Sequence, residues 1–312
     1  MRIDPSKVNR VLVIGLSCLG DMLLASAALW NLRLFLPGRD FRILVGPRAL
    51  EAVKEDPMWD QVVVYDRPKD FPGLRGRIKF ISHMRSFSPD LVVDLRSGLN
   101  PLFSGAKYAP LWGLRELLLH RDLHEAERNL WCMSTLGVPL VTRGMRFHVT
   151  PDAQGKAEEV LAGRLPLAVI NPGASSKFNR WPGERFLEVA KWLAREGYFV
   201  GVIGKAPDER PIGEGILSIL GDRGIDMRSL PSLGVLGAML KRASIFISND
   251  TGPLHLASAV GTPTVGIYAG RSLARRYGPW CNRHVCVLPP GSPQALTTGA
   301  GLRPSRPSRW RR

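Results

Sequence analysis

The stretch Ser248-Asn249-Asp250-Thr251-Gly252-Pro253-Leu254-His255 joins an apolar run, residues 244–248, to a segment rich in helix formers, residues 254–260. The order is strand, tight polar turn, helix. In a parallel α/β sheet such a turn lies at the carboxyl ends of the strands, where ligands collect. Asn249, Asp250 and Thr251 suit a helix N-cap. Gly252 lets a ligand approach the backbone. The N–H groups and dipole of a first helical turn favour phosphate. His255 follows Thr251 by four residues, so both project from the same side of that turn. The residues also read as a plainly capped helix with a hydrogen-bonded histidine; taken together they point to an anionic ligand.

Three other groups carry chemical potential. Asp21 stands at the start of a helix behind Ser17 and Gly20. The helix dipole keeps such a carboxylate ionised, and Gly20 lets a substrate near, so Asp21 could take a proton from a hydroxyl nucleophile. Its alternative reading is an N-cap. Ser175, Ser176, Lys177, Arg180 and Arg185 follow an apolar run that ends at Ile170. Cations and hydroxyls beyond a strand end suit a diphosphate, and equally form a solvated basic loop. Asp208 and Glu209 follow a strand ending at Gly204, where a carboxylate could take two ribose hydroxyls.

The elements that must hold these groups alternate. Residues 11–16 form a short apolar run, the pattern of a buried parallel strand. Residues 22–36 read as a helix stopped by Pro37-Gly38. The glycines between them lack the GxGxxG spacing, so no dinucleotide fingerprint is supported. Strands at 42–45, 61–65 and 90–95 and helices at 49–55, 78–86 and 124–136 continue the series, with 98–108 crossing to a fifth element. A connecting helix at 152–163 opens a second series: strands 167–170, 199–203, 245–248 and 264–268, helices 184–196 and 235–241. This alternation is the signature of doubly wound α/β structure. The 312 residues suit two domains. The expectation is two facing Rossmann-like domains, 1–155 and 156–288, with a cleft for two substrates between their strand ends. Residues 289–312 are dominated by Gly, Ser, Pro, Thr and Arg and read as a disordered basic tail.

Hydrophobic residues make up 45% and charged residues 22%, a globular profile. The net charge of +16 calls for an acidic partner: nucleic acid, anionic lipid or a phosphorylated substrate. The four cysteines, Cys18, Cys132, Cys281 and Cys286, form no CxxC pair, so no zinc ribbon or disulfide scaffold is expected, and a reducing compartment fits. No run of about 18 apolar residues is present. Arg2, Lys7 and Arg10 precede an apolar run too short for a signal peptide, so a cytoplasmic protein is expected.

With these pieces in place the sequence resembles glycosyltransferase family 9, the heptosyltransferase-like enzymes of lipopolysaccharide assembly. Leu16-Ser17-Cys18-Leu19-Gly20-Asp21 is similar to that family's S-x-L-G-D start. Asn171-Pro172-Gly173-Ala174 through Arg180-Trp181-Pro182 to Phe186 is similar to its PGA…RWP…F segment, and Ser248 through Ala257 to its S-x-DTG-x-x-H-L-A segment. The resemblance implies a GT-B fold and an inverting, metal-independent transfer with no cofactor beyond a nucleotide-sugar donor, ADP-linked in expectation. It implies Asp21 as general base, with Ser17 and Gly20 on the acceptor side. It implies Ser175, Ser176, Lys177, Arg180, Glu209, Asn249, Asp250, Thr251, Gly252 and His255 around the donor. The acceptor it implies is an anionic glycolipid such as a lipopolysaccharide core, reached at the cytoplasmic membrane face without nucleic acid. Asn179 stands where the family usually has lysine, and the chain turns polar where the family continues ordered. Those departures keep open a nucleotide-binding member without activity; the charge keeps open a basic nucleic-acid-binding protein, although no such motif is present.

Overall fold

A computed structural model of the chain describes residues 1–66, 70, 73–96, 98–112, 123–174, 176–204, 207, 209–290 and 296–298. The chain forms two compact units, Met1–His148 and Val149–Arg312.

In the first unit β1 (Arg10–Ile14), β2 (Asp40–Val45), β3 (Gln61–Val64) and β4 (Leu91–Asp94) form a sheet in the order β3-β2-β1-β4, with every pair parallel. Tyr108 bridges to Leu91 in parallel, the fifth element expected from the 98–108 crossing. The helices are α1 (Leu19–Phe35), α2 (Gly73–Ser86), α3 (Asn100–Phe103) and α4 (Glu125–Thr135). Val11 to Ile14 are buried in succession because the sheet is covered on both faces. Leu12, Ile14, Leu44 and Val92 pack with Phe80 and Met84 of α2 and with Phe87. Burying each such side chain contributes about 1.5–3 kcal/mol. Helix α1 packs on α4. The helix expected at 49–55 is a 3-10 turn over Pro47–Ala52; a segment this short, bounded by Pro47 and Pro57, is too brief to nucleate an α-helix. Asn31, fully buried in α1, donates to the carbonyls of Ala27 and Thr142 and accepts from the amides of Val141 and Thr142. One side chain thereby satisfies the backbone of a distant segment.

The second unit starts with α5 (Pro151–Leu161), whose N-cap Thr150 accepts from the Ala153 amide at 3.2 Å. Helix α5 packs on α8 (Leu233–Arg242). The division therefore falls ahead of α5, where the sequence placed it inside that helix. The strands are β5 (Leu167–Asn171), β6 (Phe199–Val202), β7 (Gly224–Asp226), β8 (Ile245–Asn249), β9 (Thr264–Ile267), β10 (His284–Val287) and β11 (Leu296–Thr298). The remaining helices are α6 (Gly183–Arg195), α7 (Arg210–Leu220), α9 (Gly252–Ala259) and α10 (Arg271–Tyr277). The sheet order is β11-β10-β9-β8-β5-β6-β7. Its six parallel strands run 3-2-1-4-5-6 when counted from β5, the dinucleotide-fold order, with the switch point between β5 and β8. Ala168, Ile170, Val200 and Val202 pack under Phe186, Ala190 and Leu193 of α6 and Ile216 and Leu220 of α7. Strand β11 pairs antiparallel with β10. It lies in the segment expected to be disordered, so three residues of that segment belong to the sheet; residues 291–295 and 299–312 lie outside the described ones.

No described helix is long and apolar enough to cross a membrane.

Candidate active site

Strands β5 and β8 are neighbours, so their carboxyl ends bring Asn171 beside Ser248 and Asn249 at the switch point. The Asn171 side-chain amide donates to Ser248 Oγ at 3.1 Å and to Thr251 Oγ1 at 3.0 Å. Ser248 Oγ lies 3.0 Å from Thr251 Oγ1 and donates to the Asn249 carbonyl at 2.7 Å. Thr251 is the N-cap of α9, yet its hydroxyl makes no capping bond. It is drawn sideways to Asn171 and Ser248, so Thr251 does not itself cap the first turn of α9. Such an end presents N–H groups and a positive dipole to a ligand. Gly252 is the first residue of the helix and half-buried, and His255 is buried one turn on. Asp250 is half-buried, with its amide donating to the Ile267 carbonyl at 3.2 Å. Its carboxylate bears on Tyr268, whose hydroxyl pKa is pushed well up by burial first and by the Asp250 charge second.

Asn249 differs from its expected role. Its side chain is fully buried, donating Nδ2 to the Pro172 and Gly173 carbonyls and accepting from the Trp181 amide at 2.9 Å. It ties the 171–181 loop to the switch point instead of facing a ligand. Arg180 donates Nε to the Ala174 carbonyl at 2.9 Å and pairs with Glu209 at 3.6 Å. The two side chains are 18% and 11% exposed. A methyl group on Gly173 would fall on the Glu209 carboxylate, so this glycine creates the space the carboxylate fills. Gly204, with φ of 135°, passes the same carboxylate on its other side. Ser176 is half-buried and its carbonyl accepts from the Asn179 amide at 3.0 Å. Ser175, Asp208 and the side chain of Lys177 lie outside the described residues.

Beyond Gly204 a cavity of about 470 Å³ opens at the carboxyl ends of β6 and β7, lined by Gly204, Arg210, Glu214, Arg228, Ser229 and Leu230. Arg228 is held there by two bonds to Asp226, Nε to Oδ1 at 2.9 Å and Nη2 to Oδ2 at 2.7 Å. That fork raises the Arg228 pKa and lowers that of Asp226. Sequence reading missed this wall, because no spacing rule links a residue after a three-residue strand to the loop after β6.

In the first unit the turn between β1 and α1 carries Ser17, and Gly20 and Asp21 follow in the first turn of α1. Ser17 is exposed; Gly20 and Asp21 are half-buried. Cys18 is the N-cap and makes no side-chain capping bond, so Asp21 is not the N-cap its alternative reading proposed. Arg96, also missed from sequence, holds this turn. Its Nε donates to the Gly15 carbonyl at 2.9 Å and its Nη2 to Ser17 Oγ at 2.8 Å. Arg96 is itself oriented by Asp94, buried at the end of β4, which accepts from the Arg96 amide and from Asn100 Nδ2, each at 2.9 Å. Burial raises the Asp94 pKa, against the lowering effect of those two bonds and of the Arg96 charge. Among the described residues no cluster of three His, Cys, Asp or Glu could hold a metal ion.

The family profile described as glycosyltransferase family 9 (heptosyltransferase) matches residues 106–297. The lipooligosaccharide heptosyltransferase 2 of Haemophilus influenzae is 22% identical over 301 aligned residues, covering 84% of each chain. The structure of a family 9 glycosyl transferase from Veillonella parvula aligns over 92% of this chain and 88% of its own, at TM-score 0.76 and 23% identity. That of the E. coli ADP-heptose lipopolysaccharide heptosyltransferase II aligns over 89% and 90%, at TM-score 0.70 and 20% identity. These likenesses favour neither the inactive nor the nucleic-acid-binding alternative. A profile matching well over half of the chain, on two doubly wound units, settles the family: the chain belongs to glycosyltransferase family 9 and is a glycosyltransferase of GT-B fold.

Proposed function

We propose that this chain transfers a heptose-like sugar from an ADP-linked donor to a hydroxyl of an anionic glycolipid core, with inversion and without a metal. The observation that carries this reading is the first turn of α9 at the switch point, which its N-cap residue Thr251 does not cap. There the Thr251 hydroxyl is turned away by Asn171, leaving a seat for a diphosphate. Glu209 takes the ribose hydroxyls beside Gly173 and Gly204, and the base occupies the cavity walled by Arg228 and Leu230. In the first unit Asp21 accepts the proton of the acceptor hydroxyl as its oxygen attacks the anomeric carbon. The bond to the diphosphate breaks, and the charge that grows on the leaving group is met by the α9 N-terminus, which needs no reorganisation to do so. The acceptor's phosphates are drawn to the basic chain, which works as a cytoplasmic protein peripheral to the membrane.

The test is calorimetric titration with ADP, UDP and GDP, using Asp250→Ala as control. Micromolar binding of ADP, lost in the variant, supports the donor site. Preference for another nucleotide rejects the ADP-linked donor, and binding of none rejects an active transferase.

A further inference from the structure

Helix α2 presents two faces of different character. Gly76, Phe80 and Met84, spaced four apart, are buried against the sheet. The opposite face carries Leu74, 75% exposed, and Ile78, 62% exposed, also four apart, while Ile81 packs against the core. Helix α3 lies at the end of α2, because Arg85 Nε donates to the Phe103 carbonyl at 2.8 Å. It adds Leu102 and Phe103, 56% and 47% exposed, and Leu99 precedes it. Large apolar side chains scattered singly on a surface are ordinary; five on two helices and the residue before one of them, tied by an Arg85 hydrogen bond, are not.

The charge on α2 itself has one sign, with Asp70 one turn ahead of it. Helix α2 contains Arg75, Arg77, Lys79 and Arg85 and no carboxylate. Among the described residues no carboxylate pairs with Arg75 or Arg77. At 100° per residue, Arg77 falls to one side of the Leu74–Ile78 line, and Arg75 and Lys79 to the other. An apolar strip flanked by cations is the pattern of a helix that lies in a bilayer interface, its apolar face among the acyl chains and its cations at the headgroups. A soluble acidic protein would satisfy the cations but offers no specific reason for the bare leucines and isoleucine between them.

We propose that α2 and α3 form the docking surface of the protein for an anionic lipid bilayer. This rests on the reading that the acceptor is a membrane glycolipid, and gives that reading a place on the molecule. None of these side chains belongs to the proposed transfer chemistry, so docking and catalysis separate in experiment.

The test is co-sedimentation of the full chain with vesicles of phosphatidylcholine alone or with phosphatidylglycerol. The unmodified protein is expected to partition to the anionic vesicles, with binding weakened by salt. L74S/I78S and R75Q/R77Q are expected to reduce it, the latter by about fivefold per cation. Both pairs are exposed, and circular dichroism checks that the fold is retained. Sugar transfer to a delipidated core oligosaccharide should be unchanged in both variants. Equal binding to both vesicle types, or variants that bind as well as the parent, overturns the proposal. So does retention on duplex DNA that the same variants lose while vesicle binding persists. Vesicle binding that meets the expectation while no sugar transfer is detected would instead count against the transferase reading alone.

Discussion

Asp21 and Glu209 are the two carboxylates on which the proposed chemistry turns, and their surroundings assign them different work. Asp21 has the first turn of α1 behind it. Asp21→Asn keeps the shape and removes the base. It is expected to lower kcat by about 10²- to 10⁴-fold while the KM for donor stays within a few fold. A loss carried by donor KM instead would make Asp21 a binding group. Glu209 depends on the missing side chain of Gly173. Gly173→Ala should destabilise the protein by about 1–3 kcal/mol through overpacking. In the double variant with Glu209→Ala most of that cost should vanish, as a denaturant-unfolding cycle would read out. Full additivity would mean that the glycine serves something else. Chemically suggestive residues were legible from sequence wherever turn and helix start coincide, as for Asp21, Thr251 and Gly252. Arg96 and Arg228 were not, because their partners lie far along the chain or on a three-residue strand. Asn249 was legible as important but not as internal: its type fits a ligand contact and a loop tie equally well.

At the scale of elements, the end of β4 governs the turn after β1. The buried Asp94 orients Arg96, and Arg96 grips Gly15 and Ser17. Because burial raises the Asp94 pKa, the folded state holds its proton more tightly than the unfolded chain does. That contribution to stability is complete below the ordinary aspartate value, about 3.9, and is lost as pH rises through the folded value. The stability of the parent minus that of Asp94→Asn should therefore fall as pH rises from about 4, then level off. Urea midpoints across that range would show it. A gap that widens with pH would mean that the Arg96 charge outweighs burial. The strand–turn–helix units around these sites were readable because buried parallel strands are short apolar runs with sharp ends. Helix α7 was not, since Gly213 and Gly215 interrupt its pattern; Gly213 is there because the Arg228 side chain crosses it. Strands β7 and β11 have three residues each, too few for a period to register.

For the whole molecule, two units with separate sheets imply two thresholds of stability. Nucleotide bound to the second unit alone should raise only its unfolding transition. At a hundredfold excess over Kd the gain is about 2.7 kcal/mol, or about 2–4 °C per kcal/mol for a unit of this size. Scanning calorimetry with and without ADP should show one transition move and one stay; a common shift would show that the units melt together. Composition made the basic character plain, and the strand–helix alternation that starts again after the connecting helix pointed to a second half, joined near residue 155. What it could not show was that both sheets open with the same 3-2-1-4 order around their own first strand. That shared order gives the chain the look of one plan written twice. Each copy closes its own core, so selection can rework the pocket of one without unpicking the other. On the proposed roles, a lineage facing a new cell-envelope glycan can redraft the half around Asp21 while inheriting its donor chemistry intact, and the joint between His148 and Val149 is where an ancestral or engineered exchange of halves would be cut.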